Sequence, residues 1–187
     1  MKPSGMAVDK EKTISTETVY RGHVVNLRVD MVEMPSGRQA TREVVEHDEC
    51  VAVVPVDERG NILLVRQYRY APGKELLEIP AGGIDEGEDA VTAVKREMGE
   101  ETGFSPKTVE RMGGFYSSPG FCTEYLHLFL ATDLVPNRLE AEDTESIQVM
   151  KVRPEELEGL IASEKICDSK SIAGIFTYLR RLESRAG

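Results

Sequence analysis

The sequence has few of the features that mark membrane-bound or secreted proteins. No apolar run in its 187 residues approaches the roughly 20 residues that a membrane span requires. Residues 1–12 contain no apolar core, so we expect no secretory signal there. The three cysteines, Cys50, Cys122 and Cys167, are widely spaced and odd in number, which argues against a disulfide framework and a thiolate zinc site. We expect a cytoplasmic protein with reduced thiols and no membrane contact.

Basic residues are also scarce, because 33 Asp and Glu stand against 23 Lys and Arg, for a formal net charge of −10. A protein that binds nucleic acid through charge usually carries a basic patch, so we expect no nucleic-acid partner. If the substrate carries phosphates, carboxylate-bound divalent cations are expected to neutralise them.

The distribution of β-forming residues predicts a chain built mainly of strands. The predicted strands lie within 13–48, around a turn at 35–37, and at 51–56, 62–65, 76–80, 109–115, 125–131 and 147–152. The turn signal at 57–61 is interpreted as joining 51–56 and 62–65 into a hairpin.

Helical periodicity appears in three places. Residues 89–102 carry a one-sided apolar stripe and are followed by Gly103, a typical C-terminal cap. Pro154 fits the first turn of a second helix, and Asp168 or Ser169 is a candidate cap for a third. Strands with a few helices indicate an α+β fold.

The first helix also concentrates negative charge. Glu97, Glu100 and Glu101 are spaced i, i+3 and i+4, so they share one face of the helix and repel each other. A run of glutamates on a helix is usually only a solvated face. A carboxylate cluster next to Arg96 is nevertheless an arrangement that holds magnesium at a phosphate substrate.

The surrounding sequence, GGIDEGEDAVTAVKREMGEETGF at 82–104, resembles the Nudix box. The two apolar positions of that pattern are Met98 and Phe104. Every fixed position is matched, by Gly82, Glu88, Arg96, Glu97, Glu100, Glu101 and Gly103. The chance of such a match is on the order of 10⁻⁸ per window at ordinary residue usages.

The resemblance implies a Nudix α/β/α sandwich with a mixed β-sheet at 49–187, preceded by an N-terminal β-strand arm at 1–48. It implies that Glu97 and Glu101 are the main ligands of magnesium or manganese. Glu100, Glu88 and the backbone carbonyl of Ala81 are implied around them, and Arg96 is implied to orient the glutamates.

The resemblance extends over nearly the whole chain to the ADP-ribose pyrophosphatase branch. Members of that branch carry a proline sixteen residues beyond the last glycine of the box, which is Pro119 here. The branch is implied to attack the substrate with water and to release AMP and ribose 5-phosphate. The resemblance also implies that the base that activates the water lies on a loop beyond the box. Glu145 is favoured for this role, and Glu142 is the second choice.

Several other residues are candidate substrate contacts because of their chemistry. Arg66 and Arg69 offer guanidinium forks for phosphate oxygens, and Gly83 permits close approach of the backbone. Asp85 and Glu124 are candidate partners of ribose hydroxyls. In related enzymes the N-terminal arm is exchanged in a homodimer, where it would bring three further residues to the adenine: Tyr20, Arg21 and Arg28.

Alternative functions remain open at the level of sequence. Other substrates of the same branch are GDP-mannose or another sugar nucleotide, NADH, and dinucleoside polyphosphates. A nucleotide sensor without catalysis is a further alternative, although such proteins tend to lose box glutamates or to gain a DNA-binding domain.

Overall fold

The structure is a computed structural model that describes residues 10–140 and 146–186, with the side chains described up to residue 184. The chain forms two compact units. The first consists of residues up to 47 together with 118–124, and the second consists of 48–117 and 125–187. None of the helices in the described ranges is long and apolar enough to cross a bilayer.

The first unit is an antiparallel three-stranded sheet in the order β1-β2-β3, formed by β1 (Lys12–Arg21), β2 (Asn26–Glu33) and β3 (Gln39–Glu46). Every residue of β1 is exposed, whereas Asp30 and Val32 of β2 are buried. The 118–124 segment attaches to β3, because the backbone N–H of Val45 donates to the carbonyl of Phe121 at 2.7 Å.

In its described residues, the second unit contains two sheets and three helices. Its strands are β4 (Cys50–Pro55), β5 (Ile62–Arg69), β6 (Lys74–Glu78), β7 (Ala81–Gly83), β8 (Phe104–Tyr116), β9 (Tyr125–Pro136) and β10 (Gln148–Val152). Its helices are α1 (Ala90–Thr102), α2 (Pro154–Ala162) and α3 (Ser169–Ala186). The sheets have the orders β7-β4-β9-β8 and β10-β5-β6, and the parallel pair β4–β9 makes the first of them mixed.

Strand β4 explains the layered architecture, because all six of its residues are buried. Val51 and Val53 pack with Val94 and Met98 of α1, whereas Ala52 and Val54 pack with Ile175 of α3. Alternate residues of a strand point to opposite faces of a sheet. The mixed sheet is therefore covered by α1 on one face and by α3 on the other, which confirms the predicted α+β sandwich.

The predicted hairpin of β4 and β5 is wrong. The turn at 57–61 exists, and the Asp57 side chain accepts from the N–H groups of Arg59 and Asn61 at 2.9 Å each. A single bridge, Val56 to Ile62, follows it, and the two strands then enter different sheets. The pairing of β4 is instead parallel to β9, more than 70 residues later, and neighbouring sequence carries no signal for it.

Candidate active site

Helix α1 carries the glutamates and is capped at both ends. The Asp89 carboxylate accepts from the N–H groups of Val91 and Thr92 at 2.9 and 3.1 Å. Gly103 ends the helix with a left-handed φ of 77°, which glycine adopts at little cost. The C-terminal end at Gly103 lies where the sequence predicts it, and the helix begins at Ala90, one residue after the predicted start. Glu97 and Glu101, four residues apart on one face, are only 9% and 6% exposed.

The guanidinium of Arg96 is the centre of the carboxylate cluster. It donates to both oxygens of Glu88, with Nε at 3.1 Å and Nη2 at 2.9 Å. Nη1 donates to Glu97 at 2.6 Å and to Glu100 at 3.3 Å. Nη2 also reaches the carbonyl of Gly83 at 2.8 Å. Arg96 thus ties the loop before α1 to the helix and fixes three carboxylates.

The other side of the cluster is formed by the backbone of β7. A Cβ atom at Gly82 would lie 2.0 Å from Cδ of Glu97, so only glycine leaves room for that carboxylate. The backbone N–H of Ala81 donates to Oε2 of Glu101 at 3.1 Å. The strand and the helix therefore bring Ala81, Gly82, Glu97 and Glu101 together, as the box pattern implies.

The two buried glutamates of the cluster have raised pKa values, chiefly because they are buried. Burial raises the pKa of Glu101 to about 8, and the charge of Glu97 adds to this effect. Burial also raises the pKa of Glu97, although Arg96 opposes the shift. Glu88 behaves oppositely, because its hydrogen bonds with Arg96 lower its pKa. One arginine therefore does not neutralise the buried carboxylates.

This donor set fits a divalent cation. Hard cations such as magnesium bind carboxylate and carbonyl oxygens, and a buried carboxylate with a raised pKa gains a counter-charge when such a cation binds. Glu97 and Glu101 would hold the cation, with Glu88, Glu100 and the Ala81 carbonyl as further oxygen donors.

The two arginines predicted to bind phosphate lie on opposite faces of β5. Arg66 donates to Gln148 of β10 at 2.6 Å and lies 3.9 Å from Glu75. Arg69 donates to both oxygens of Glu78, with Nε at 2.9 Å and Nη2 at 2.8 Å. The charge of Arg69 acts on Glu101, whereas the structure does not bring Arg66 to the carboxylate cluster.

Asp85 lies at the edge of the cluster. Its carboxylate is 3.5 Å from Nε of Arg96 and is largely exposed, while its backbone N–H donates to Glu88 at 3.2 Å. Gly83 is exposed at the end of β7. Both residues therefore sit beside Arg96, on the solvent side of the buried glutamates.

The remaining predicted substrate residues belong to the first unit. Tyr20 is 59% exposed and Arg21 is exposed at the end of β1. Arg28 donates from Nε to Asp30 at 3.0 Å and also pairs with Glu46. Pro119 is exposed in a turn closed by the N–H of Cys122 on the Ser118 carbonyl at 2.9 Å, and Glu124 follows that turn.

The predicted bases, Glu142 and Glu145, lie outside the described residues. The segment before them is anchored on α1, because the N–H of Leu139 donates to the Gly99 carbonyl at 3.1 Å. A Cβ atom at Gly99 would lie 2.8 Å from the Leu139 side chain. The glycine inside the helix, which the box pattern leaves unspecified, thus allows the 137–139 segment to pack closely on α1.

Sequence reasoning also missed a second charged cluster. Glu78, 1% exposed, binds Arg69 of β5 and Lys170 of α3, and Lys170 also donates to Asp168 at 2.9 Å. Its four members are separated by up to 101 residues, and none belongs to the box. The only local signal was Glu78 itself, an acidic residue inside an apolar strand.

Comparison with known proteins agrees with this geometry. Residues 46–173 match the NUDIX domain, and residues 11–45 match the nucleoside diphosphate sugar hydrolase N-terminal domain. A protein of Bacillus subtilis named ADP-ribose pyrophosphatase is 37% identical over 94% of this chain and 95% of its own length. The Bacillus methanolicus methanol dehydrogenase activator shows the same identity and coverage.

Two further matches extend the comparison. A Mycobacterium tuberculosis protein named ADP-ribose pyrophosphatase is 39% identical over 91% of this chain and 84% of its own. The crystal structure of an ADP compounds hydrolase superposes with a TM-score of 0.88 at 21% identity, covering 97% of this chain and 98% of the other. A capped helix with clustered glutamates, an α/β/α arrangement and a NUDIX match over most of the chain together define a diphosphate hydrolase class. The chain belongs to the Nudix family.

Proposed function

We propose that the protein hydrolyses the diphosphate bond of ADP-ribose to AMP and ribose 5-phosphate, using magnesium or manganese. The observation that carries this proposal is the pair of buried carboxylates, Glu97 and Glu101, beside the backbone of Ala81 and Gly82. The ADP-ribose pyrophosphatases among its relatives support the choice of substrate.

The chain's own residues set up the reaction. Arg96 holds Glu88, Glu97 and Glu100 in fixed positions, so their oxygens need little reorganisation when a cation binds. A divalent cation bound there would neutralise diphosphate charge and make the phosphorus more open to attack by water.

Arg69 is the proposed partner of the substrate diphosphate. Arginine has five N–H donors, and Glu78 uses two of them, so three donors are left for other partners. The side chain is 39% exposed and acts electrostatically on Glu101, which places its charge near the proposed metal ligands. The further substrate contacts that we propose are Asp85, Gly83, Arg66, Pro119 and Glu124.

The base that takes the proton of the attacking water is proposed to be Glu145, with Glu142 as the second choice. Both residues follow the Asn137–Leu139 segment, and the described part of that segment is bonded to α1 by two backbone hydrogen bonds. An anchored segment next to the glutamate helix is a suitable origin for a catalytic loop.

A cytoplasmic homodimer is proposed as the working form. Strand β1 presents Ile14, Val19 and Tyr20 at 48%, 50% and 59% exposure, which is unusual for apolar side chains of a paired strand. The arm of a second copy would cover these apolar side chains. In such a dimer, the residues that would contact the adenine are Tyr20, Arg21 and Arg28.

A sugar nucleotide such as GDP-mannose is the second candidate substrate. The match of residues 11–45 to the nucleoside diphosphate sugar hydrolase N-terminal domain favours it. The two candidates share the diphosphate and differ in the base and the sugar, so the carboxylate cluster serves both equally.

The test is product analysis with purified protein, magnesium and four compounds in separate reactions: ADP-ribose, GDP-mannose, NADH and a diadenosine polyphosphate. We expect AMP and ribose 5-phosphate from ADP-ribose. This activity should be lost in a Glu97→Gln, Glu101→Gln variant and kept in Glu86→Gln, which removes an exposed acid of the loop before α1. Faster cleavage of GDP-mannose would replace the substrate, and binding without any cleavage would make the protein a nucleotide sensor.

A further inference from the structure

The first turn of α3 reaches the strand end that leads to the proposed active site. The Asp168 carboxylate caps the helix by accepting from the Ser171 N–H at 3.0 Å. Lys170 donates to the same Asp168 oxygen at 2.9 Å and pairs with Glu78. The fully buried Ser171 hydroxyl accepts from the backbone N–H of Ile79 at 2.8 Å. Two consecutive residues of the helix therefore bind two consecutive residues at the end of β6.

Packing adds a third contact between α3 and this strand end. A Cβ atom at Gly174 would lie 2.8 Å from Cδ1 of Ile79, so the helix approaches as closely as a glycine allows. Ile79 is fully buried and is followed, after Pro80, by Ala81, whose N–H binds Glu101. The helix thus restricts the backbone at Ile79, two residues before Ala81, whose carbonyl is a proposed metal ligand.

The carboxylate of Glu78 relays this restriction to Arg69. Both of its oxygens accept from Arg69, and the oxygen bound to Nη2 of Arg69 also accepts from Lys170. A bidentate fork fixes the plane of the guanidinium. Lys170 fixes the carboxylate in turn, because it is itself held by Asp168 and is only 14% exposed.

We propose that Lys170 is a positioning residue of the active site, which acts through Glu78 to hold the Arg69 guanidinium for the substrate diphosphate. This inference rests on the proposed function, since Arg69 is the diphosphate partner there. A lysine that only supported helix packing would change the stability of the protein and leave the kinetics of the folded enzyme unchanged.

The kinetic test compares Lys170→Met with Lys170→Arg and with Lys165→Met, which removes an exposed lysine of the preceding turn. We expect KM for ADP-ribose to rise about tenfold in Lys170→Met while kcat changes less than threefold. Lys170→Arg should restore most of the affinity, and Lys165→Met should match the wild type. An unchanged KM in Lys170→Met would overturn the proposal.

A double-mutant cycle shows whether Lys170 acts through Arg69. In an Arg69→Ala background, Lys170→Met should add no further rise in KM. Equal and additive effects would mean that the lysine acts on the substrate by charge alone, and would overturn the positioning role.

A readout without turnover separates this inference from the proposed function. Nitrogen-15 NMR of the metal-free protein, with the Arg69 Nε–H signal assigned by its loss in Arg69→Lys, reports the exchange of that proton with water. We expect faster exchange in Lys170→Met than in wild type, whichever substrate the enzyme cleaves. Unchanged or slower exchange would contradict the inference, whereas failure to cleave ADP-ribose would contradict only the proposed function.

Discussion

Two clusters of charged side chains in the second unit differ in how they are neutralised. Around Arg96, one guanidinium serves Glu88, Glu97 and Glu100, and the pKa values of the buried Glu97 and Glu101 are raised. Around Glu78, burial alone would raise the pKa of the carboxyl, but Arg69 and Lys170 hold it below its usual range. The first cluster would be completed by an external cation, as proposed above, whereas the second is neutralised by residues of the chain itself.

Because of this difference, we expect the two clusters to have different roles. A site with surplus negative charge gains free energy when a divalent cation binds, so it suits metal-assisted chemistry. A buried carboxylate with two cations has little to gain from a ligand, and its value is the geometry that it imposes. We therefore expect substitutions in the first cluster to change catalysis, and substitutions in the second to change stability and positioning.

The largest effect is expected from Glu97→Gln. Loss of a metal ligand removes several kcal/mol of transition-state stabilisation, which corresponds to roughly 10³- to 10⁴-fold in kcat at about 1.4 kcal/mol per tenfold. The measurement is steady-state hydrolysis of ADP-ribose in magnesium, with the thermal unfolding temperature as the check on folding. A variant that folds and retains more than a tenth of the activity would remove Glu97 from the ligand set.

For Glu78→Gln, we expect the main effect on stability instead of on kcat. Removing the buried carboxylate leaves Arg69 and the half-buried Lys170 without their shared counter-charge, and breaking such an ion pair costs about 3 kcal/mol. Urea unfolding would measure the loss. The matched control, Glu75→Gln, removes an exposed glutamate of the same strand and should change stability by less than about 0.5 kcal/mol. Equal stability of the two variants would contradict the assignment.

The metal-free protein is expected to lose stability as the pH rises towards 8. The pKa of Glu101 is about 8 in the folded state and near its ordinary value when unfolded, so the folded state binds the additional proton. That contribution is complete below about pH 4.5 and is lost as the pH passes the folded value.

Urea unfolding of metal-free protein between pH 5.5 and 8.5 would therefore show a fall on the order of 2 kcal/mol. Glu101→Gln, which preserves the hydrogen bond from Ala81, should flatten this dependence. A profile that is identical in wild type and variant would show that Glu101 does not titrate in this range.

The smallest effect is expected from Gly99→Ala, which tests the segment that leads from β9 towards the proposed base. The added methyl would press on Leu139, and such overpacking costs about 1–2 kcal/mol. We expect kcat to fall about tenfold. Gly159→Ala in α2 is the control, because open space surrounds that position and alanine favours a helix. An unchanged kcat in Gly99→Ala would dissociate this segment from catalysis.

The difference between the clusters also explains which parts were predictable from sequence. The box lies within 23 consecutive residues, so helical periodicity brings Glu97 and Glu101 onto one face without knowledge of the fold. The Glu78 cluster joins β5, β6 and α3, and no local spacing connects Lys170 to Arg69. The parallel pairing of β4 with β9 depends on the same long-range packing, which is why the predicted hairpin failed.

Isothermal titration of magnesium into the metal-free protein at pH 7, in two buffers with different ionisation enthalpies, tests the central claim most directly. Because Glu101 is largely protonated at that pH, we predict the release of about one proton for each cation bound, and its loss in Glu101→Gln. Binding without proton release, or equal proton release from wild type and Glu101→Gln, would contradict the account of the Arg96 cluster as a site completed by a cation.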